Sequence, residues 1–164
     1  MYGKAELEKR EFVLKNLRTW ESTIWVFDAS FGVIPVAEID GHKKLLMVKH
    51  KKWWHRWFPK WHPENNENTM QSASRECAEE VWLSWFVLSE DRKVVEHYFI
   101  SDVPTGPTEI LKTVTYYIWE TTQTNYALQP DEVKEARRMT IEETALLPLS
   151  AQMKWIISEL KKFL

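Results

Sequence analysis

Glu76, Glu79 and Glu80 stand at spacings that gather them on one side of a helix, within an arc of about 100° at the usual turn per residue. Three carboxylates so placed repel one another, and near the C-terminal end they also oppose the negative pole of the helix dipole. The arrangement costs stability unless a cation neutralises it. Hard oxygen ligands of this kind suit Mg²⁺ or Mn²⁺, ions that bridge phosphate oxygens and polarise an attacking water. The same residues also make an ordinary solvated acidic face, and the wider sequence must decide between the two.

The helix that would carry them is well specified. Asn68 can cap the first turn, Gln71 stands three residues later to complete a capping box, and Met70, Ala73, Cys77 and Val81 line one face. Before it, the β-branched and aromatic run Phe31 to Ile39, the turn Asp40-Gly41 and the apolar run Leu45 to Val48 predict a hairpin. Lys49 to Asn66 reads as a loop with short strands allowed within it. Val94 to Ile100 and Thr113 to Ile118 predict two further strands, separated by the turn Pro104-Thr105-Gly106-Pro107. Thr140 with Glu143 opens a short helix that Pro148 ends. Met153, Ile156, Ile157, Leu160 and Leu164 then stripe a last helix. This order of elements predicts an α+β fold, with a mixed sheet between helical layers.

Lys4 to about Leu17 lacks Gly and Pro, and Leu7, Leu14 and Leu17 recur at helical spacing, so residues 1–18 are expected to form an N-terminal helical arm. Residues 19–164 then make one domain, within the normal size for a single core. With 22 basic against 24 acidic residues, the net charge of -2 supplies no global field for DNA or an anionic membrane. Phosphate recognition must be local. One cysteine, Cys77, excludes an intrachain disulfide and suits a reducing compartment, so a cytoplasmic location is expected. No apolar run reaches the roughly 18 residues of a membrane span. Oligomeric state is not legible. Ten Trp against four Gly is an unusual balance, since glycine ordinarily supplies about 7% of residues.

From Trp61 to Leu83 the chain reads Trp61, five residues, Glu67, seven residues, then Arg75-Glu76-Cys77-Ala78-Glu79-Glu80-Val81-Trp82-Leu83. This resembles the box of the Nudix hydrolase superfamily, Gly-x5-Glu-x7-Arg-Glu-U-x-Glu-Glu-x-Gly-U with U a bulky aliphatic residue. Phe58-Pro59-Lys60 resembles the usual lead-in. Both box glycines are replaced, by Trp61 and Trp82. The resemblance implies an α/β/α sandwich with a mixed sheet, and a hydrolase that splits a diphosphate linkage with Mg²⁺ or Mn²⁺. It implies Glu76, Glu79 and Glu80 as metal ligands, with Glu79 or Glu80 as a possible base. Arg75 would orient the glutamates, Glu67 would brace the loop, and Lys60 would meet a phosphate.

The segment Lys112 to Ile118 is similar to a strand of the diadenosine tetraphosphate hydrolases in that superfamily, where an aromatic ring stacks on a base. That implies Tyr116 or Tyr117 as the stacking ring; adjacent strand residues face opposite ways, so one is expected in the core. Glu120 and Glu135 stand where relatives recruit a further carboxylate, Glu120 being taken as a metal ligand. His50, His55, His62 and His97 have no metal-ligand spacing and read as polar loop or surface residues.

The expected reaction is asymmetric cleavage of a dinucleoside tetraphosphate by water, with a nucleoside polyphosphate as partner. The alternative is a module that binds nucleotide with little or no turnover, because glycines let backbone and phosphate approach and Trp82 falls where a left-handed cap belongs. A third reading is an interaction domain using Trp53, Trp54 and Trp57.

Overall fold

The computed structural model describes residues 12–15, 22–52, 54–64, 66–100 and 108–164. Seven strands and three helices follow in the order β1 (Phe12–Lys15), β2 (Ser22–Ile39), β3 (His42–His50), β4 (Lys60–Trp61), α1 (Thr69–Val81), β5 (Lys93–Ile100), β6 (Thr108–Glu120), β7 (Val133–Met139), α2 (Ile141–Thr144) and α3 (Ala151–Leu160). The sheet runs β5-β6-β2-β3-β7. It is mixed, because β2 and β6 pair in parallel from Ile24↔Thr108 to Val36↔Glu120, whereas the other pairings are antiparallel.

Strand β2 organises the molecule. One edge carries β6, and the other is shared in turn by β1 at Ser22–Trp25, β4 at Phe31 and Gly32, and β3 from Val36. At Gly32 the crossing chain comes so close that a Cβ would lie 2.3 Å from the Pro59 carbonyl oxygen, which explains glycine here. Asp40 and Gly41 both have positive φ, 54° and 74°, as a two-residue hairpin turn requires.

Alternation along the strands makes two apolar layers. Ile34, Leu45, Met47, Tyr116 and Ile118 face α3, where Met153, Ile156, Ile157 and Leu160 cover them. Val33, Leu46, Val48, Tyr117 and Trp119 face α1, meeting Ala73, Cys77 and Val81. The expected α/β/α sandwich is therefore present, as are the stripe on α3 and the Thr140/Glu143 box opening α2.

Two expectations change. Within the expected N-terminal helix, Phe12–Lys15 is a strand, held by antiparallel pairing with β2 that local helical spacing did not reveal. The rest of that arm, Trp53 and the 104–107 turn lie outside the described residues. Strand β7 was not foreseen; of its buried residues, Met139 and Ala136 pair with Leu45 and Val48 on opposite faces of the sheet, and a register shift at Lys49/His50 separates Ala136 from Val133.

Candidate active site

Helix α1 begins as its sequence dictates. The Asn68 side chain accepts from the Gln71 amide, and the Gln71 side chain accepts from the Asn68 amide, both at 2.9 Å. It ends at Trp82, whose backbone is left-handed (φ 55°, ψ 33°) while its N–H bonds Ala78 O. The residue that replaces glycine therefore adopts the glycine conformation, at a cost of about 1–2 kcal/mol. Its side chain stays out in solvent, 69% exposed.

Arg75 is the hub of the acidic group. It grips Glu67 through Nε to Oε1 at 2.7 Å and Nη2 to Oε2 at 3.2 Å, and its Nη1 donates to Glu76 and to Glu79, the latter at 3.1 Å. Glu67 in turn accepts from the Glu64 amide at 3.0 Å, tying the preceding loop to the helix. The Glu67 contact, opposed by burial, holds the guanidinium charged and raises its pKa.

Glu76 and Glu80 face inward at 6% and 3% exposure, and Glu79 lies on the outer edge. Burial drives the Glu76 pKa up to about 7, against Arg75 and with repulsion from Glu79 and Glu132. Burial with repulsion from Glu76 and Glu132 takes Glu80 to about 9. One Glu80 oxygen lies 3.4 Å from His50 Nε2, and the other, Oε2, is buried without a hydrogen bond. Unpaired buried carboxylate is costly. This donor set fits a hard divalent cation, which would relieve both the repulsion and the orphaned oxygen. Among the described residues no three His, Cys, Asp or Glu side chains are yet drawn together as a metal cage; the Arg75 grip on Glu76 and Glu79 occupies part of the set.

A second polar patch lies under the α3-facing side of the sheet. Asp28 and Lys112 are direct partners across β2 and β6, and Lys112 Nζ donates to Asp28 Oδ2 at 2.5 Å. His62 Nε2 lies 2.9 Å from Asp28 Oδ1 and 3.0 Å from Lys112 Nζ. Although burial raises the Asp28 pKa, the contacts with His62 and Lys112 prevail and hold it low. Burial lowers that of Lys112, against the effect of Asp28. Lys60 Nζ lies 5.5 Å from the centre of the Trp57 ring and feels the charges of Lys112, Glu96, Glu80 and Asp28. Burial and the Lys112 charge lower its pKa to about 8. Glu96 Oε1 and the Tyr116 hydroxyl are also buried here without hydrogen-bond partners.

The structure thus brings together Arg75, Glu67, Glu76, Glu79 and Glu80, with Lys60 on the adjacent strand. It does not bring Glu120 to them: that carboxylate pairs with Lys43 and Arg92 at 2.9 and 3.2 Å, and Glu135 pairs with Arg56 at 2.7 Å. The further carboxylate acting on Glu76 and Glu80 is Glu132, placed by the approach to β7. Neither Tyr116 nor Tyr117 offers a ring for stacking, since both are buried, at 0% and 1%. Tyr116 packs edge-on against Phe58, and Tyr117 hydrogen-bonds Thr69 and Glu90. Of the histidines read as surface residues, His50 and His62 belong to the site. Their pairing with Glu80 and Asp28 is long-range and leaves no local sequence signal. His55 meets Pro148 O, and exposed His97 meets Thr113.

The described residues thus set an acidic helix, with Glu76 and Glu80 turned inward, on an α/β/α sandwich. Residues 26–160 match the family model for the NUDIX domain, and the chain belongs to that family. Among solved structures it is similar to a C. elegans Ap4A hydrolase in a binary complex, with TM-score 0.68 and 18% identity over 82% of this chain and 96% of that one. It is also similar to the NUDIX domain of Shewanella oneidensis NrtR complexed with ADP ribose, at TM-score 0.60 and 12% identity over 91% and 94%. A MutT NUDIX hydrolase from Burkholderia pseudomallei gives TM-score 0.58 and 14% identity over 82% and 98%. At these identities the likeness is one of fold. No match was found among curated proteins. No helix among the described residues is long and apolar enough to cross a membrane.

Proposed function

We propose that the protein is a divalent-metal-dependent pyrophosphohydrolase acting on a nucleoside diphosphate joined to another group, with asymmetric cleavage of a dinucleoside tetraphosphate as its foremost reaction. The observation that carries this reading is the pair of buried helical carboxylates, Glu76 and Glu80, the latter with an oxygen lacking any partner. Glu76, Glu79 and Glu80 would hold Mg²⁺ or Mn²⁺, with Glu132 alongside. The ion supplies neutralisation of phosphate charge and polarisation of water.

The chain's own residues do the rest. Water adds its oxygen to a phosphorus, the bridging P–O bond breaks, and one water proton passes to a carboxylate of the set, Glu79 or Glu80. Arg75 fixes the direction of Glu76 and Glu79, and Glu67 fixes Arg75. Lys60, drawn from water and holding its proton weakly, gains a partner when a phosphate oxygen approaches. The base-stacking role expected of Tyr116 and Tyr117 has no part in this reading.

The second reading is a nucleotide-binding module with little turnover, favoured by the left-handed Trp82 and by the Arg75 contacts that engage two of the metal-binding acids. Product analysis on a panel of diadenosine tetraphosphate, nucleotide sugar, NADH and capped RNA separates the two. Metal-dependent release of mononucleotide from the tetraphosphate, lost in Glu79→Gln, supports the enzyme. Calorimetric binding without turnover on any member, unchanged by Glu80→Gln, supports the module.

A further inference from the structure

On the side of the sheet opposite α1, a cavity of about 250 Å³ opens to solvent between α2 and α3. Ile141, Leu149 and Ile157, at the edge of the core on that side, give it an apolar floor. Thr144 and Ser158 bring hydroxyls, but each already donates its proton to the chain, Thr144 to Ile141 O at 2.5 Å and Ser158 to Trp155 O at 2.7 Å. They can only accept. Because the other polar side chains of the lining are Lys154 and Lys161, the free side-chain donors of the cavity are ammonium groups. No carboxylate lines it, although acids outnumber bases in the chain by 24 to 22. The cavity is locally cationic.

Spacing along α3 sets where an anion would sit. Lys154, Ser158 and Lys161 follow one face of the helix and its C-cap, about 10 Å from first to last at the helical rise, so both long side chains reach a group held over Ser158. Neither lysine has an ion-pair partner among the described residues, whereas Lys162, outside the cavity, is held by Glu159. Volume sets what the anion is attached to. An apolar cavity of about 150 Å³ holds a benzene ring, and sites for drug-sized ligands run to about 300–1,000 Å³. This one lies between, too small to enclose a nucleoside polyphosphate. We propose that the cavity is a binding site for a small organic anion, a ring-sized apolar body on a short arm that ends in one anionic group. The body lies against Ile141, Leu149 and Ile157, and the anionic group between Lys154 and Lys161. The site is separate from the acidic helix and does not rest on the hydrolase reading.

The test titrates full-length protein in chelator by calorimetry with hydrocinnamate, and separately with hydrocinnamyl alcohol, which keeps the ring and arm without the charge. The acid is expected to bind at one site about tenfold more tightly than the alcohol, the sum of two exposed ion pairs. High salt should narrow that difference, because both ammonium groups stand at the solvent-exposed rim. Lys154→Met combined with Lys161→Met keeps the apolar stems, and should bring the acid down to the affinity of the alcohol. Ala145→Trp, at an exposed position on the cavity wall, fills the space and should abolish binding of both. If Ala145→Trp does not fold, the double lysine variant, changed only at exposed positions, still gives the reading. No saturable binding of the acid to the wild type, equal affinity for acid and alcohol, or a preference for the acid that survives in the double lysine variant overturns the assignment.

Discussion

Arg75 and Glu67, eight residues apart, face each other as a planar fork against a carboxylate, with Nε–Oε1 at 2.7 Å and Nη2–Oε2 at 3.2 Å. The remaining nitrogen, Nη1, is thereby aimed at Glu76 and Glu79. Lysine presents a point charge and cannot make both parallel contacts. Arg75→Lys is expected to lose about 2 kcal/mol of stability by denaturant titration. It should also lose about 100-fold in kcat/KM, because the acids are no longer aimed. A variant with wild-type stability and rate would show that the fork positions nothing.

Trp82 holds φ 55° without burying its side chain. Trp82→Gly removes the strain and forfeits little packing, so the urea midpoint should rise by the equivalent of about 1 kcal/mol. A fall in the midpoint would mean that the exposed indole contributes more than its backbone costs.

Glu80 buries one carboxylate oxygen with no partner. In chelator at neutral pH, Glu80→Gln should raise the melting temperature, because burial raises the Glu80 pKa to about 9 and folding must therefore protonate a side chain that is ionised when unfolded, a cost that an amide lacks. The same substitution should abolish the further rise that Mg²⁺ gives the wild type. Destabilisation in chelator would show that the charge at Glu80 is satisfied without a metal.

Lys60 has its pKa lowered to about 8 by burial and by Lys112. The ammonium form meets phosphate, so kcat/KM should decline as pH rises through about 8, where the free protein loses that proton. Arginine stays charged throughout, and Lys60→Arg should remove this decline. An unchanged alkaline limb in the variant would assign the proton to another group.

What the sequence revealed was local. The Asn68 cap with Gln71, the Asp40-Gly41 turn and the apolar stripe of α3 each depend on residues a few positions apart, and all are present. Acid spacing on α1 was legible for the same reason. Strand β7 was not, because Lys134, Glu135, Arg137 and Arg138 separate its buried residues, which fall three apart and so follow no apolar alternation. Asp28, His62 and Lys112 come together only when β2, β4 and β6 assemble, so no spacing could announce them. Tyr116 and Tyr117 were separable by alternation, but a strand covered on both faces buries both.

Titration of the purified protein with Mn²⁺, followed by electron paramagnetic resonance, tests the central claim most directly. The buried acids of α1 should give the wild type a tight Mn²⁺ site, weakened at least about tenfold in Glu76→Gln and in Glu80→Gln. Equal Mn²⁺ affinity in the wild type and both variants, or no binding by any of them, would contradict the account.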